Sequence, residues 1–144
     1  NRGKQVFLKR NFNWNSEPFL SLYYSNDSNG TSITKFSNKV NSKFHEGPCV
    51  FLGQNQEKML FTRNNYLKMR AKKSKEGVNM LQLYWATDKG GKWTDITPFL
   101  YNNTEYSTGH PAWFAREKEL YYVSDQPDRI GGTDIFMVKL KDDG

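Results

Sequence analysis

A strand-rich unit recurs imperfectly along the chain, and any fold proposed for it has to accommodate each copy in the same way. Phe44-His45-Glu46-Gly47-Pro48 opens one copy and Tyr106-Ser107-Thr108-Gly109-His110-Pro111 opens the next. After each Pro comes a short apolar run, Cys49-Val50-Phe51-Leu52 or Ala112-Trp113-Phe114. A polar turn follows, then a β-type segment, Met59-Leu60-Phe61-Thr62 or Leu120-Tyr121-Tyr122-Val123. A third segment, Leu81-Gln82-Leu83-Tyr84-Trp85 or Thr133-Asp134-Ile135-Phe136-Met137-Val138, closes the shared pattern. An earlier copy reaches the N-terminus, with Val6-Phe7-Leu8 as its second strand and Phe19-Leu20-Ser21-Leu22-Tyr23-Tyr24 as its third. Tyr23 precedes Tyr84 by 61 residues, and Tyr84 precedes Phe136 by 52. The strands align while the links between them differ in length, as in propeller blades, whose connections vary without disturbing the sheet.

The alternation within each copy predicts an all-β chain. Leu20, Leu22 and Tyr24 share one face of a strand with Phe19, Ser21 and Tyr23 on the other, and residues 80–85 alternate in the same way. Large apolar groups on both faces are expected of a sheet covered on two sides. The middle copy can be traced as a four-stranded antiparallel blade: an inner strand at 48–52 starting on Pro48, a second at 58–63, a third at 80–87, the turn Asp88-Lys89-Gly90-Gly91, and an outer strand at 92–97 stopped by Pro98. In the first copy, residues 31–36 take the outer place after Asp27-Ser28-Asn29-Gly30. The divisions are a partial blade over 1–43, a complete blade over 44–105 and a partial blade over 106–144. Two partial blades and one whole one do not close a ring of about four to eight blades, so the chain reads as a piece of a longer protein.

The segments Asn13-Trp14-Asn15-Ser16-Glu17-Pro18-Phe19-Leu20-Ser21-Leu22-Tyr23-Tyr24, Phe44-His45-Glu46-Gly47-Pro48, Phe61-Thr62-Arg63-Asn64-Asn65-Tyr66 and Gly131-Gly132-Thr133-Asp134-Ile135-Phe136 together resemble the TolB-type, WD-like propeller of Bacteroidota envelope proteins. The family's usual Ser-Pro-Asp-Gly turn is replaced by Gly53-Gln54-Asn55-Gln56 and Ala115-Arg116-Glu117-Lys118. The resemblance implies a non-enzymatic scaffold that binds other envelope proteins at the periplasmic side of the outer membrane. Some family members serve type IX secretion and gliding motility. The propeller often adjoins an OmpA-like domain, so peptidoglycan would be reached through a domain outside this chain. The alternative is the propeller gate of a serine peptidase-type hydrolase, which a Gly-x-Ser-x-Gly elbow elsewhere in the gene would favour.

In WD-type blades a His in the opening loop bonds across to a polar residue after the second strand. The resemblance therefore assigns a blade-locking role to His45, Gly47, Pro48, Asn64, His110, Pro111, Asp125 and Asp134, with His45 meeting Arg63-Asn64 and His110 meeting Ser124-Asp125. Two His without clustered Cys or carboxylates make a weak zinc pattern, and no metal or cofactor is expected. Ala86-Thr87-Asp88-Lys89-Gly90-Gly91-Lys92-Trp93 resembles the Asp-box of sialidase-type propellers, a hairpin brace in which the Asp bonds local amides and the Trp packs beneath the turn. Asp125-Gln126-Pro127-Asp128-Arg129-Ile130-Gly131-Gly132-Thr133-Asp134 is acidic and Gly-rich but lacks EF-hand alternation, so it reads as a turn-forming loop.

Of the formal net charge of +6, five units lie between Arg63 and Glu76, in Arg63, Lys68, Arg70, Lys72, Lys73 and Lys75 against Glu76. Such a loop either stays solvated or meets an anionic partner, for which Lys68, Arg70, Lys72, Lys73 and Lys75 are the candidates. No nucleic-acid reading module accompanies it. There is no Gly-x-Ser-x-Gly elbow, phosphate loop or His-Glu-x-x-His, and no membrane span is read in the sequence. The one cysteine, Cys49, sits in an apolar run and rules out an internal disulfide.

Overall fold

The structure is a computed structural model that describes residues 16–141. The expected strand at Val6-Phe7-Leu8 and the segment Asn13-Trp14-Asn15 lie outside the described residues. The described chain is all-β. Its strands are β1 (Tyr23–Ser25), β2 (Ile33–Lys35), β3 (Glu46–Leu52), β4 (Lys58–Asn64), β5 (Tyr66–Leu67), β6 (Arg70–Ala71), β7 (Leu81–Asp88), β8 (Trp93–Pro98), β9 (Thr108–Phe114), β10 (Glu119–Ser124) and β11 (Asp134–Lys139). They form four antiparallel sheets: β1-β2, β3-β4-β7-β8, β5-β6 and β11-β10-β9. No ring closes among the described residues.

The four-stranded sheet is covered on both faces, and the alternation of its residues dictates how. Met59, Phe61, Tyr84 and Ala86 point to one side and pack with Val40, Leu22, Phe36 and Trp93. Leu60, Leu83 and Trp85 point to the other and pack with Leu120, Tyr122, Trp113 and Phe136 of the β11-β10-β9 sheet. Met59, Leu60, Phe61 and Leu83 are fully buried. Strand β9 runs against β3, β4 and β7. It approaches so closely that a Cβ on Gly109 would stand 3.0 Å from the Thr62 methyl, so any larger residue there has to push Thr62 aside.

The strand limits differ from the sequence expectation where side chains take the backbone groups a ladder would use. Strand β1 starts at Tyr23 rather than Phe19, because the Leu20 amide donates to His45 Nδ1 and the Leu22 amide to Asn41 Oδ1. Strand β2 starts at Ile33 rather than Thr31, because the Asp27 carboxylate accepts the Thr31 and Ser32 amides at 2.9 and 2.6 Å. Those amide bonds hold the Asp27 carboxyl down at about 2.

Pro48 does not start its strand. Strand β3 begins at Glu46, and Gly47 and Pro48 occupy a bulge between the pairs Glu46↔Arg63 and Cys49↔Phe61. His110 and Pro111 sit in a matching bulge between Gly109↔Val123 and Ala112↔Tyr121. A bulge residue makes no ladder bond, so the missing N–H of proline costs nothing there. Pro98 likewise ends β8 instead of excluding itself, since β8 is an edge strand and Pro98 pairs opposite Tyr84. The basic segment carries the hairpin β5-β6, whose turn places Lys68 and Met69 at positive φ of 48° and 65°.

Candidate functional site

A reciprocal clamp fastens the opening of each inner strand to the end of the next. The His45 amide donates to Asn64 Oδ1 at 3.1 Å, and the Asn64 amide returns a bond to the His45 carbonyl at 3.1 Å. In the following sheet the Ser107 amide donates to Asp125 Oδ1 at 2.6 Å, and the Asp125 amide returns one to Ser107 at 3.4 Å. A second clamp repeats as well. Asn41 receives the Leu22 amide and donates to the Leu22 carbonyl, at 2.8 and 2.9 Å. Asn102 does the same for Leu83 at 3.0 and 2.6 Å. The two pairs are offset by 61 residues, as are Tyr23 and Tyr84.

The structure thus equates His45 with Ser107, and His110 does not occupy the place expected of it. Aligning the sequence on Pro48 and Pro111 shifted the two copies against each other, because the prolines sit at different distances past the clamp. The His110 amide instead donates to Thr62 Oγ1 of the neighbouring sheet at 2.9 Å. Its backbone is held at φ +53°, a left-handed conformation uncommon for a residue with a Cβ.

His45 meets Asn64 through its backbone. Its imidazole turns the other way, packing on Phe19 at 4.6 Å and accepting the Leu20 amide at Nδ1. Burial lowers the His45 imidazole from its ordinary 6.5. A lowered folded value means that the neutral ring stabilises the fold fully above 6.5, and that this contribution is lost as pH falls through the folded value. Protonation also removes the lone pair that accepts the Leu20 amide. Unfolding midpoints should therefore drop on acidification below neutrality, and His45→Gln should flatten that slope in urea titrations at several pH values. The expected effect stays below the roughly 1 kcal/mol of a net hydrogen bond, because the pair is half-open to solvent.

The largest departure from the sequence reading is Arg63. Counted there with the basic loop, it lies at the end of β4 and is 3% exposed. Its guanidinium stands 4.4 Å from the Tyr84 ring centroid and donates to the Val40 carbonyl. Opposite it in the ladder is Glu46, also buried, whose Oε1 accepts the Ser42 amide and hydroxyl. Burial pushes the Glu46 carboxyl up, an effect the Ser42 bonds and Arg63 oppose in part. Burial lowers Arg63 in turn. The signal for this pair is the apolar run Met59-Leu60-Phe61-Thr62 leading straight into Arg63, the residue that ends the strand expected at 58–63.

The remaining candidates Lys68, Arg70, Lys72, Lys73 and Lys75 are all exposed. A Cβ on Gly47 would stand 3.6 Å from that of Thr62, Pro48 and Pro111 sit in the bulges, and Asp134 accepts the Ile130 and Gly131 amides. Local amides are thus bound by Asp27 and Asp134, whereas Asp88 Oδ1 has no partner among the described residues. Trp93 packs on Phe36 and Phe51.

A cleft of about 640 Å³ opens where the three copies meet, with both histidines, Phe19, Phe44, Asn79 and Lys73 in its lining. A second space, of about 870 Å³, lies at the other end of the β3–β4 and β9–β10 turns, beside Leu52, Glu57, Trp85, Trp113 and Lys118. Among the described residues no group of three or more His, Cys, Asp or Glu is placed to hold a metal ion, and no helix is long and apolar enough to cross a membrane. Cys49 is half-buried, and burial pushes its thiol up, away from the reactive thiolate. No protein-family model matches the chain, and neither the curated proteins nor the solved structures contain a match to it.

Proposed function

We propose that the chain is part of a β-propeller that acts as a non-enzymatic scaffold, binding partner proteins in a cell-envelope assembly at the periplasmic side of the outer membrane. The observation that carries this reading is a repeated sheet face that is covered twice and bare once. Leu22 packs onto the four-stranded sheet. Leu83, at the equivalent place one copy later, packs onto the β11-β10-β9 sheet. Ile135 holds that place in the last sheet, and it is 73% exposed beside Met137 at 48%. Tyr121 and Val123 pair with Met137 and Ile135 and share their face. A contiguous apolar face of this kind marks a surface made to be covered. The envelope setting, with type IX secretion or gliding machinery as the kind of assembly, rests on the sequence resemblance.

Ile135→Lys combined with Met137→Lys places two charges on the face without touching a covered residue. Co-purification after mild cross-linking in native membranes should recover partners with the wild type and lose them with the variant. A protein that fractionates as a partner-free monomer away from the envelope would end the scaffold reading.

A further inference from the structure

We propose that the cleft containing His45 and His110 binds an N-acylated apolar amino acid carboxylate, the group found at the free C-terminus of a peptide chain. Its volume of about 640 Å³ lies within the range of small-molecule sites. Its walls are apolar, with Phe19 and Phe44 packed edge to face at 5.9 Å and Leu81 beside them, so they suit a hydrophobic side chain.

The polar groups are few and chemically distinct. Among the described lining residues Lys73 is the one that carries a full positive charge, and Lys72 and Lys75 lie beside it in the sequence. Among the described lining residues the one acid, Glu46, is 2% exposed and gives its Oε1 to Ser42. An anion is therefore the complementary ligand charge. Asn79 Oδ1 is buried and has no donor among the described residues, although the Asn79 carbonyl is bonded by Asn64 Nδ2 at 3.1 Å. A buried acceptor of this kind calls for an incoming N–H or O–H, which an acylated amino group supplies.

His110 lines the cleft as well. Its amide is spent on Thr62 at 2.9 Å and its φ is +53°, so the bulge brings this side chain to the cleft at some cost in backbone strain. One ligand satisfies the whole set: carboxylate toward Lys73 and the imidazole of His110, N–H toward Asn79, and side chain against Phe19 and Phe44.

The test is calorimetric titration of the full chain with N-acetyl-L-phenylalanine, its methyl ester, and an octapeptide ending in phenylalanine. The acid should bind saturably, and the ester, which lacks the charge, should bind about tenfold more weakly or worse. Lys73→Gln, an exposed position that leaves the fold intact, should produce a similar loss, and Asn79→Leu a smaller one. Tighter binding of the octapeptide assigns the ligand to a chain terminus, and equal binding assigns it to a free acid; both support the site. Equal affinity for acid and ester, no saturation up to about 10 mM, or an unchanged Lys73→Gln titration overturns it.

Discussion

Arg63→Ala is expected to destabilise the protein by about 3–5 kcal/mol, the range for breaking a buried charge pair by removing one partner. The guanidinium is enclosed, with Tyr84 at 4.4 Å, Phe61 at 5.4 Å and Tyr66 at 6.0 Å. Its loss opens a void among these rings and leaves Glu46 buried with only the smaller influence of Lys35 to offset its charge. Glu46 Oε2 already has no partner among the described residues, so water or a proton is its only remedy. The pH dependence separates this cause from simple loss of packing. Burial raises the Glu46 carboxyl above its ordinary 4.5 in the folded state, and the folded state therefore binds the proton more strongly than the unfolded chain. That contribution is present below 4.5 and is lost as pH rises through the folded value. Removing Arg63 raises the folded value further, so the variant should lose stability relative to wild type between acid and neutral pH. Urea unfolding at pH 4 and pH 7 should show a smaller difference at the acid end, and adding Glu46→Gln should narrow the gap at pH 7. The His45 contribution is common to both proteins and cancels from the comparison. A penalty under about 1 kcal/mol, or one independent of pH, would mean that the pair is solvated and the site is not the buried one described.

The strand order of the middle sheet was legible because its signal is local. Residues 58–63 and 80–87 alternate with period two, and two-sided cover follows from apolar groups on both faces. What the sequence concealed are interactions between residues far apart, which no periodicity reports. His45 was expected to meet Asn64 and does so, but through its amide, while its ring serves Leu20. His110 resembles His45 as a histidine shortly ahead of a proline, yet the clamp partner of Asp125 is Ser107. Backbone clamps tolerate either residue, since the groups involved are an amide and a carbonyl common to both. Only the acceptor side chains, Asn64 and Asp125, are specified chemically. The burial of Arg63 was hidden for a related reason: charge suggests solvent, and a planar cation over Tyr84 is a tertiary fact. The Asn41 and Asn102 clamps had a readable trace, the 61-residue offset, though nothing in the neighbouring loop residues marks either asparagine.

The repeat leads to a second expected result, two truncations to alanine at equivalent places with very different costs. Leu83→Ala should cost about 2–5 kcal/mol, because Leu83 is fully buried between two sheets and its removal leaves a cavity. Ile135→Ala, at the corresponding place of the next sheet, should change the stability of the isolated chain by about 0.5 kcal/mol or less. The side chains are similar in size, and both strands are third in their copy, so local propensity does not separate them. The difference lies in the following sheet: β9 covers Leu83, while Ile135 is 73% exposed. Urea unfolding of the two variants measures both values directly. If a further sheet or partner protein covers the Ile135 face in the assembly, the missing penalty should reappear as lost association, since a ligand that binds only the folded state adds its binding energy to stability. Measured in the assembled state, Ile135→Ala should then approach the Leu83→Ala penalty. A large loss for Ile135→Ala in the isolated chain would show that the face is already buried there. A small loss for Leu83→Ala would show that the two sheets do not pack as described.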